Sequence, residues 1–112
     1  MNAYEIPNLR FSLPAGGAVA RHRFVSVNAE GVGVQATAST PVIGASMNIS
    51  KEGQVVEVAD GIVMVEAAGA ITAGVKVYSD AEGKATATGT DNVVGVAITA
   101  ATGAGSLVAI KM

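Results

Sequence analysis

The chain has no cysteine and no tryptophan, and its 112 residues include two phenylalanines, two tyrosines and one histidine. Without cysteine there can be no disulfide framework, no thiol nucleophile and no thiolate metal site. The single histidine, His22, gives little material for a histidine-based metal site or for a Ser-His-Asp triad. We therefore expect no metal site, no cofactor and no catalytic residues.

Strong charge of one sign and long apolar runs are also missing. Seven basic and nine acidic residues give a net charge of −2, and the one basic cluster, residues 21–23, is interpreted as a solvated strand end. This balance argues against the basic surface that nucleic acids require. No segment approaches the roughly 18 apolar residues of a membrane span, and the first residues lack the pattern of a signal peptide. We expect a soluble product of a cytoplasm, with neither nucleic acid nor membrane as a partner.

Small residues are what the chain has in abundance. Half of its residues are hydrophobic, but alanine and valine dominate them, and there are 14 glycines. A domain of this size buries roughly two-thirds of the surface of its unfolded chain, and small side chains lower the apolar area buried per residue. We expect a thin core, with burial against another subunit as an added source of stability.

Two parts of the chain resemble each other. The tetrad Asn-Ala-Glu-Gly at 28–31 returns as Asp-Ala-Glu-Gly at 80–83, 52 positions later. Further matches keep nearly the same offset and drift only where turn residues lie, as loop insertions and deletions do. Charged residues are scarce, so the acidic tetrads are less subject to chance than matches of alanine, glycine or valine. The pattern predicts two tandem repeats, about 16–60 and 68–112, that make up one domain over 15–112.

Residues 1–14 match neither repeat and are predicted to form an extended N-terminal arm. Alternate positions over residues 9–13 are apolar, which is the period of a half-buried strand. A proline at position 7 fixes φ and favours an extended chain before that strand. Large apolar side chains need a surface to lie on. The predicted partner-binding residues of the arm are Tyr4, Ile6, Leu9, Phe11 and Leu13.

Beyond the arm, the sequence predicts an all-β fold. Short valine-rich runs alternate with turn residues at intervals of about 8–12 residues, a spacing typical of a barrel or sandwich. Asp60-Gly61 indicates a tight turn between two strands. Residues 99–101 allow one helical turn, and no segment has the length and period of a proper helix. The prediction is a small β-barrel built from two repeats.

Four residues are predicted to shape two equivalent hairpin turns. Asn28 and Asp80 begin the turns, where their side chains can cap the backbone, and Gly31 and Gly83 supply a positive φ. Most other carboxylates also lie beside turn residues. This placement favours a structural role over a general acid–base pair.

Two short motifs suggest other chemistry. Residues 31–36 fit the dinucleotide pattern G-x-G-x-x-G/A, but poor helix formers follow, and that motif needs a helix N-terminus. Lys76 lies in Val-Lys-Val, similar to the modified lysine of biotinyl and lipoyl carrier domains, but several residues before the turn at Asp80. A small β-barrel binding or carrier module stays the alternative function. An enzyme would need a pocket with converging polar groups.

The second repeat resembles a known family. Residues 71–85, ITAGVKVYSDAEGKA, are similar to the G-x-x-V-Y-x-D-x-x-G-K stretch of small capsid cement, or head decoration, proteins of tailed phages. A V-G-V-A strand follows in that family, as at 94–97 here. An alanine-rich segment, a glycine turn and a last apolar strand come next, as at 100–110. The resemblance covers about residues 15–112.

The resemblance implies a β-barrel-like structural virion protein that decorates and stabilises the outer surface of a tailed-phage capsid as trimers bridging capsomers. Its partners would be the major capsid protein and further copies of itself, and it would be synthesised in the cytoplasm of the bacterial host. The resemblance, which covers residues 15–112, provides no counterpart for the arm. Whether it contacts a neighbouring subunit or the major capsid protein stays open at the level of sequence.

Overall fold

The computed structural model describes residues 3–89 and 92–112, and these residues form β-strands and no helix. The all-β prediction is confirmed. Within this part of the chain no helix is present that could cross a membrane. Residues 99–101 form no helical turn; instead, the Ala101 N–H donates to the Ile71 carbonyl at 2.9 Å, and the Ala101 carbonyl accepts from the Ile71 N–H at 3.0 Å. In chain order the strands are β1 (Ile6–Pro14), β2 (Phe24–Val27), β3 (Gly33–Gln35), β4 (Gly44–Ser46), β5 (Val55–Glu66), β6 (Lys76–Ser79), β7 (Ala85–Thr86), β8 (Val93–Ala97) and β9 (Leu107–Lys111).

All of these strands belong to one sheet, which curls into a half-barrel. Their order is β3-β2-β4-β5-β9-β8-β6-β7, and β1 pairs with β5 outside this path. Every strand pair is antiparallel. Single parallel bridges, Ala15 to Gly33 and Ala67 to Ala85, lie against the two terminal strands. The bridges leave less open backbone at the sheet edges.

Strand β5 runs without a break through Gly61, so the tight turn predicted there is wrong. Gly61 has a φ of 116°, and its N–H donates to the Asp60 Oδ1 at 2.8 Å. A Cβ at this position would lie 2.6 Å from the Asn8 nitrogen and 2.9 Å from the Ile6 carbonyl oxygen. The glycine therefore permits the close approach of β1 and does not reverse the chain.

Buried side chains form two clusters that share β5. Val63 and Val65 belong to the larger cluster, together with Phe24, the largest of the fully buried side chains. Val56 and Val58 belong to the smaller cluster. The buried side of β5 thus changes from even-numbered to odd-numbered residues between Val58 and Ala59, since Ala59 already belongs to the larger cluster. Valine and alanine make up most of both clusters, which agrees with the thin core expected from composition.

Equivalent backbone hydrogen bonds recur at an offset of 52 residues. The Ala15 N–H donates to the Gln54 carbonyl at 2.7 Å, and the Ala67 N–H donates to the Ser106 carbonyl at 2.8 Å. Other bonds repeat in the same way, including those from residues 16 and 68 to the carbonyls of residues 33 and 85. The division of the domain into two tandem repeats, about 16–60 and 68–112, stays a prediction from the sequence, and these recurrences agree with it.

Candidate interaction surface

The two hairpin turns have the same local geometry but different surroundings. In each, the first side chain accepts a hydrogen bond from the N–H two residues later, at 3.0 Å for Asn28 and 2.8 Å for Asp80. Gly31 and Gly83 have φ angles of 78° and 75°. The Gly83 carbonyl accepts from the Phe24 N–H at 2.8 Å, whereas a Cβ at Gly31 would meet no atom within 4 Å. The second turn is therefore bonded to the start of β2.

Strand β1 contains most of the predicted arm, and its inner end is held on β5. It pairs with β5 so that Phe11 lies opposite Val58 and Leu13 lies opposite Val56. Phe11 and Leu13 are half-buried and pack against the smaller core cluster. These two side chains hold the arm on the chain's own sheet.

The outer part of the arm presents apolar side chains to solvent. Ile6 is 60% exposed and Leu9 is 56% exposed, although they lie opposite Ile62 and Asp60 in the register with β5. The register shifts by one residue between positions 7 and 9, as in a β-bulge. Tyr4 precedes the strand and is half-buried. Of the five predicted arm residues, Ile6 and Leu9 are therefore the two most accessible to a partner.

A shallow groove lies beside this exposed end of the arm. Its volume is about 320 Å³, and it is lined by Ile6 and Asn8 of the arm, residues 60–62 of β5 and residues 111–112. The lining combines apolar side chains with one carboxylate and one ammonium group. It suits contact with an amphipathic surface better than enclosure of a small apolar ligand.

A larger groove of about 630 Å³ lies near the second hairpin. Its polar side chains bond mainly within the chain: the Asp80 Oδ1 accepts two turn N–H groups, and the Thr86 and Thr88 hydroxyls lie 3.0 Å apart. The Asn92 Nδ2 donates to the Thr40 carbonyl at 2.7 Å. Over residues 3–89 and 92–112, no group of three or more histidine or acidic side chains is placed to hold a metal. This groove gives no specific support to an enzyme.

Arg23 is largely enclosed, which differs from the solvated strand end expected for its cluster. Its side chain is 15% exposed, and its Nη2 lies 3.4 Å from the Glu66 Oε1. The Lys84 Nζ lies 3.6 Å from the other Glu66 oxygen, and the Arg23 Nη1 donates to the Glu82 carbonyl at 3.2 Å. These groups connect β2, the end of β5 and the second hairpin.

The two alternative motifs take ordinary strand positions. Lys76 is the first residue of β6 and pairs with Val96, so it does not occupy the hairpin tip that a carrier lysine requires. Within residues 31–36, the stretch Gly33–Gln35 forms β3, and no helix follows in residues 37–89. The pyrophosphate-binding helix N-terminus of a dinucleotide site is therefore missing here. Measurement of the intact mass would detect any adduct on Lys76.

Comparison with known proteins agrees with this all-β architecture. Residues 5–112 match the family described as phage cement protein, and no curated protein matches the chain. Among solved structures, the crystal structure of the head fiber gp8.5 N base in bacteriophage phi29 is similar, with a TM-score of 0.76. The two share 20% sequence identity, and the alignment covers 93% of this chain and 92% of that chain. At this identity the likeness shows a common fold. Since the family match includes both the arm strand and the whole half-barrel, the chain belongs to the phage cement protein family and has a structural, capsid-associated role in the virion.

Proposed function

We propose that the protein coats the outer surface of a tailed-phage capsid and stabilises the shell by bridging neighbouring capsomers. Its major partner is the major capsid protein. The single observation that carries the proposal is the exposure of Ile6 and Leu9 on a strand whose inner residues are fixed to the fold. Apolar groups on a strand already held in place lose little conformational freedom when they bind, so most of their burial contributes to affinity.

The arm makes the contact in this proposal. Ile6 and Leu9 enter the neighbouring surface, with Tyr4 next to them, while Phe11 and Leu13 keep the strand in position. Among the described residues β1 pairs with β5 alone, which leaves its other edge available for a strand of a neighbouring subunit or of the major capsid protein. Such strand addition gives affinity through backbone hydrogen bonds and register through alternate side chains.

The proposal includes a homotrimer that is synthesised in the bacterial cytoplasm and then added to the shell. A trimer would bury part of the surface that a thin core leaves exposed, and three arms would bind together with an avidity above that of one. This role needs contact area and rigidity but no catalysis, cofactor, nucleic acid or membrane. Light scattering coupled to size-exclusion chromatography measures the oligomeric state.

Quantitative mass spectrometry of density-purified particles is the first test. The expected result is a copy number comparable to that of the major capsid protein, because a cement protein occupies sites across the whole shell. Absence of the protein from the particles would discard the proposed function.

A pair of surface substitutions tests the arm contact. Deletion of residues 1–13 would also uncover the smaller core cluster, so Ile6→Ser and Leu9→Ser separate binding from folding more cleanly. Burial of such a side chain is worth about 1.5–3 kcal/mol, and the double variant should bind shells at least about tenfold more weakly. Ile49→Ser is the matched control, because Ile49 is 74% exposed and lies outside the arm. Unchanged binding by the double variant would show that the arm is not the contact.

A further inference from the structure

Five residues form a continuous row across the sheet. The register pairs Ile6 with Ile62, Ile62 with Lys111, Lys111 with Val96 and Val96 with Lys76. Residues directly opposite each other in antiparallel strands place their side chains on the same face, about 5 Å apart. This lysine–apolar row therefore runs about 20 Å across β1, β5, β9, β8 and β6, given a strand spacing of about 4.8 Å.

The row faces away from the core. Ile6 and Val96 are 60% and 41% exposed, both lysines are exposed, and Ile62 is half-buried. The residues next to the row on the central strands, Val63 and Ile110, are fully buried on the opposite face. The row thus combines apolar area with two accessible positive charges, and its Ile6 also belongs to the exposed part of the arm.

Neither lysine of the row takes part in the ion pairs formed among residues 3–89 and 92–112. The Lys111 Nζ donates to the Met112 carbonyl at 3.0 Å. The nearby carboxylate of Asp60 accepts a hydrogen bond from the Gly61 N–H through its Oδ1. The row therefore presents two ammonium groups, with the Asp60 carboxylate beside Lys111, on a chain whose net charge is −2.

We propose that the lysine–apolar row binds an acidic, partly apolar protein surface of the capsid. Carboxylates of the shell would pair with Lys76 and Lys111, which lie two strands and so about 10 Å apart. Val96, Ile62 and Ile6 would fill the apolar area between and beside them. Charge complementarity and continuity with the arm contact favour this partner over nucleic acid, since two lysines among apolar residues make few phosphate contacts. The inference rests on the proposed function and names the chemistry of the surface that is bound.

The test compares Lys76→Glu/Lys111→Glu with wild type in binding to shells that lack this protein. Reversal of two interfacial charges should weaken binding at least about tenfold at low salt. Wild-type affinity should fall as salt rises from about 0.05 to 0.5 M, because salt screens such pairs, while the double variant should lose most of this dependence. Lys51→Glu, an exposed lysine outside the row, is the matched control and should bind as wild type does.

The possible outcomes separate the two proposals. The row inference is overturned, and the proposed function stands, if three results occur together. These results are that wild type binds shells, that the arm double variant loses binding and that the lysine double variant keeps it. If wild type does not bind shells, both fall together. Duplex DNA is included as a second probe: binding to DNA as tight as to shells, and lost on the lysine substitutions, would overturn the assignment to an acidic protein surface. Thermal unfolding of both variants checks that they fold.

Discussion

The backbone N–H of Phe24 donates to the carbonyl oxygen of Gly83 at 2.8 Å, and this bond attaches β2 to the second hairpin turn. A Cβ at Gly83 would lie 3.0 Å from the Gln35 Cγ and 3.1 Å from the Phe24 carbonyl oxygen. The turn is thus packed against β2 and β3. Its counterpart at Gly31 has nearly the same φ, but nothing lies within 4 Å of a Cβ there. The two turns form a natural matched pair.

Gly83→Ala should destabilise the protein more than Gly31→Ala. Both place an alanine at positive φ, which costs about 1 kcal/mol. Only the alanine at position 83 also crowds its neighbours, at a further cost of about 1–2 kcal/mol. Thermal unfolding should therefore begin several degrees lower for Gly83→Ala. Equal losses of stability for the two variants would mean that the turn at Gly83 is not packed tightly against Phe24 and Gln35.

Glu66→Gln should lower the free energy of unfolding by about 1–2 kcal/mol, because the enclosed Arg23 guanidinium then loses its anionic partner. Urea denaturation measures the change. Glu30→Gln, in an exposed turn, should stay within about 0.5 kcal/mol of wild type. A neutral result at position 66 would show that the Arg23–Glu66 pair, 3.4 Å apart, contributes nothing net.

Gly61→Ala should loosen the arm, since the new Cβ would collide with the backbone of β1. Trypsin cleavage after Arg10, in the middle of β1, reports this opening and should be about tenfold faster or more if the strand is destabilised by about 1.4 kcal/mol. Gly53→Ala is the control, because its φ of 84° is also positive but nothing lies within 4 Å of its Cβ. If both variants are cleaved at the wild-type rate, β1 is not held as its register indicates.

Phe24→Leu should be more costly than Phe11→Leu. Phe24 is fully buried among small residues that cannot expand to fill the space, so the loss should be about 1–2 kcal/mol. Phe11 is half-buried at the edge of the smaller cluster, where the arm can adjust. Denaturation midpoints of the two variants would decide the order, and a reversed order would place the main core around the arm.

Local sequence patterns predicted the strands because their period and turn residues act over a few positions. They failed at Asp60-Gly61. This dipeptide is typical of a tight turn, but here its glycine allows the backbone of β1 to lie close to β5. The pairing of Arg23 with Glu66 could also not be predicted from local patterns, because 43 positions separate the two residues. A charge cluster beside a strand gives no sign of a distant counter-charge. Only the fold brings them together.

The contacts of the arm could likewise be predicted only in part from the sequence. Alternation over residues 9–13 predicted one apolar face, and Leu9, Phe11 and Leu13 do lie opposite the even-numbered positions of β5. Nothing in this alternation indicates that only two of them are covered, because the smaller core cluster extends along β5 only as far as Val58. The lysine–apolar row could not be predicted from the sequence either, because it depends on the pairing register of five strands.

Because β1 pairs with β5 over most of its length, the force needed to detach the arm depends on the direction of the pull. Eight residues of β1 are in register with β5, and β5 lies between both core clusters. A pull along the strand axis loads the paired hydrogen bonds in shear, and they must break almost together. A pull at right angles peels them one pair at a time. An attachment at the exposed end of the arm would hold firmly against sliding and release by peeling.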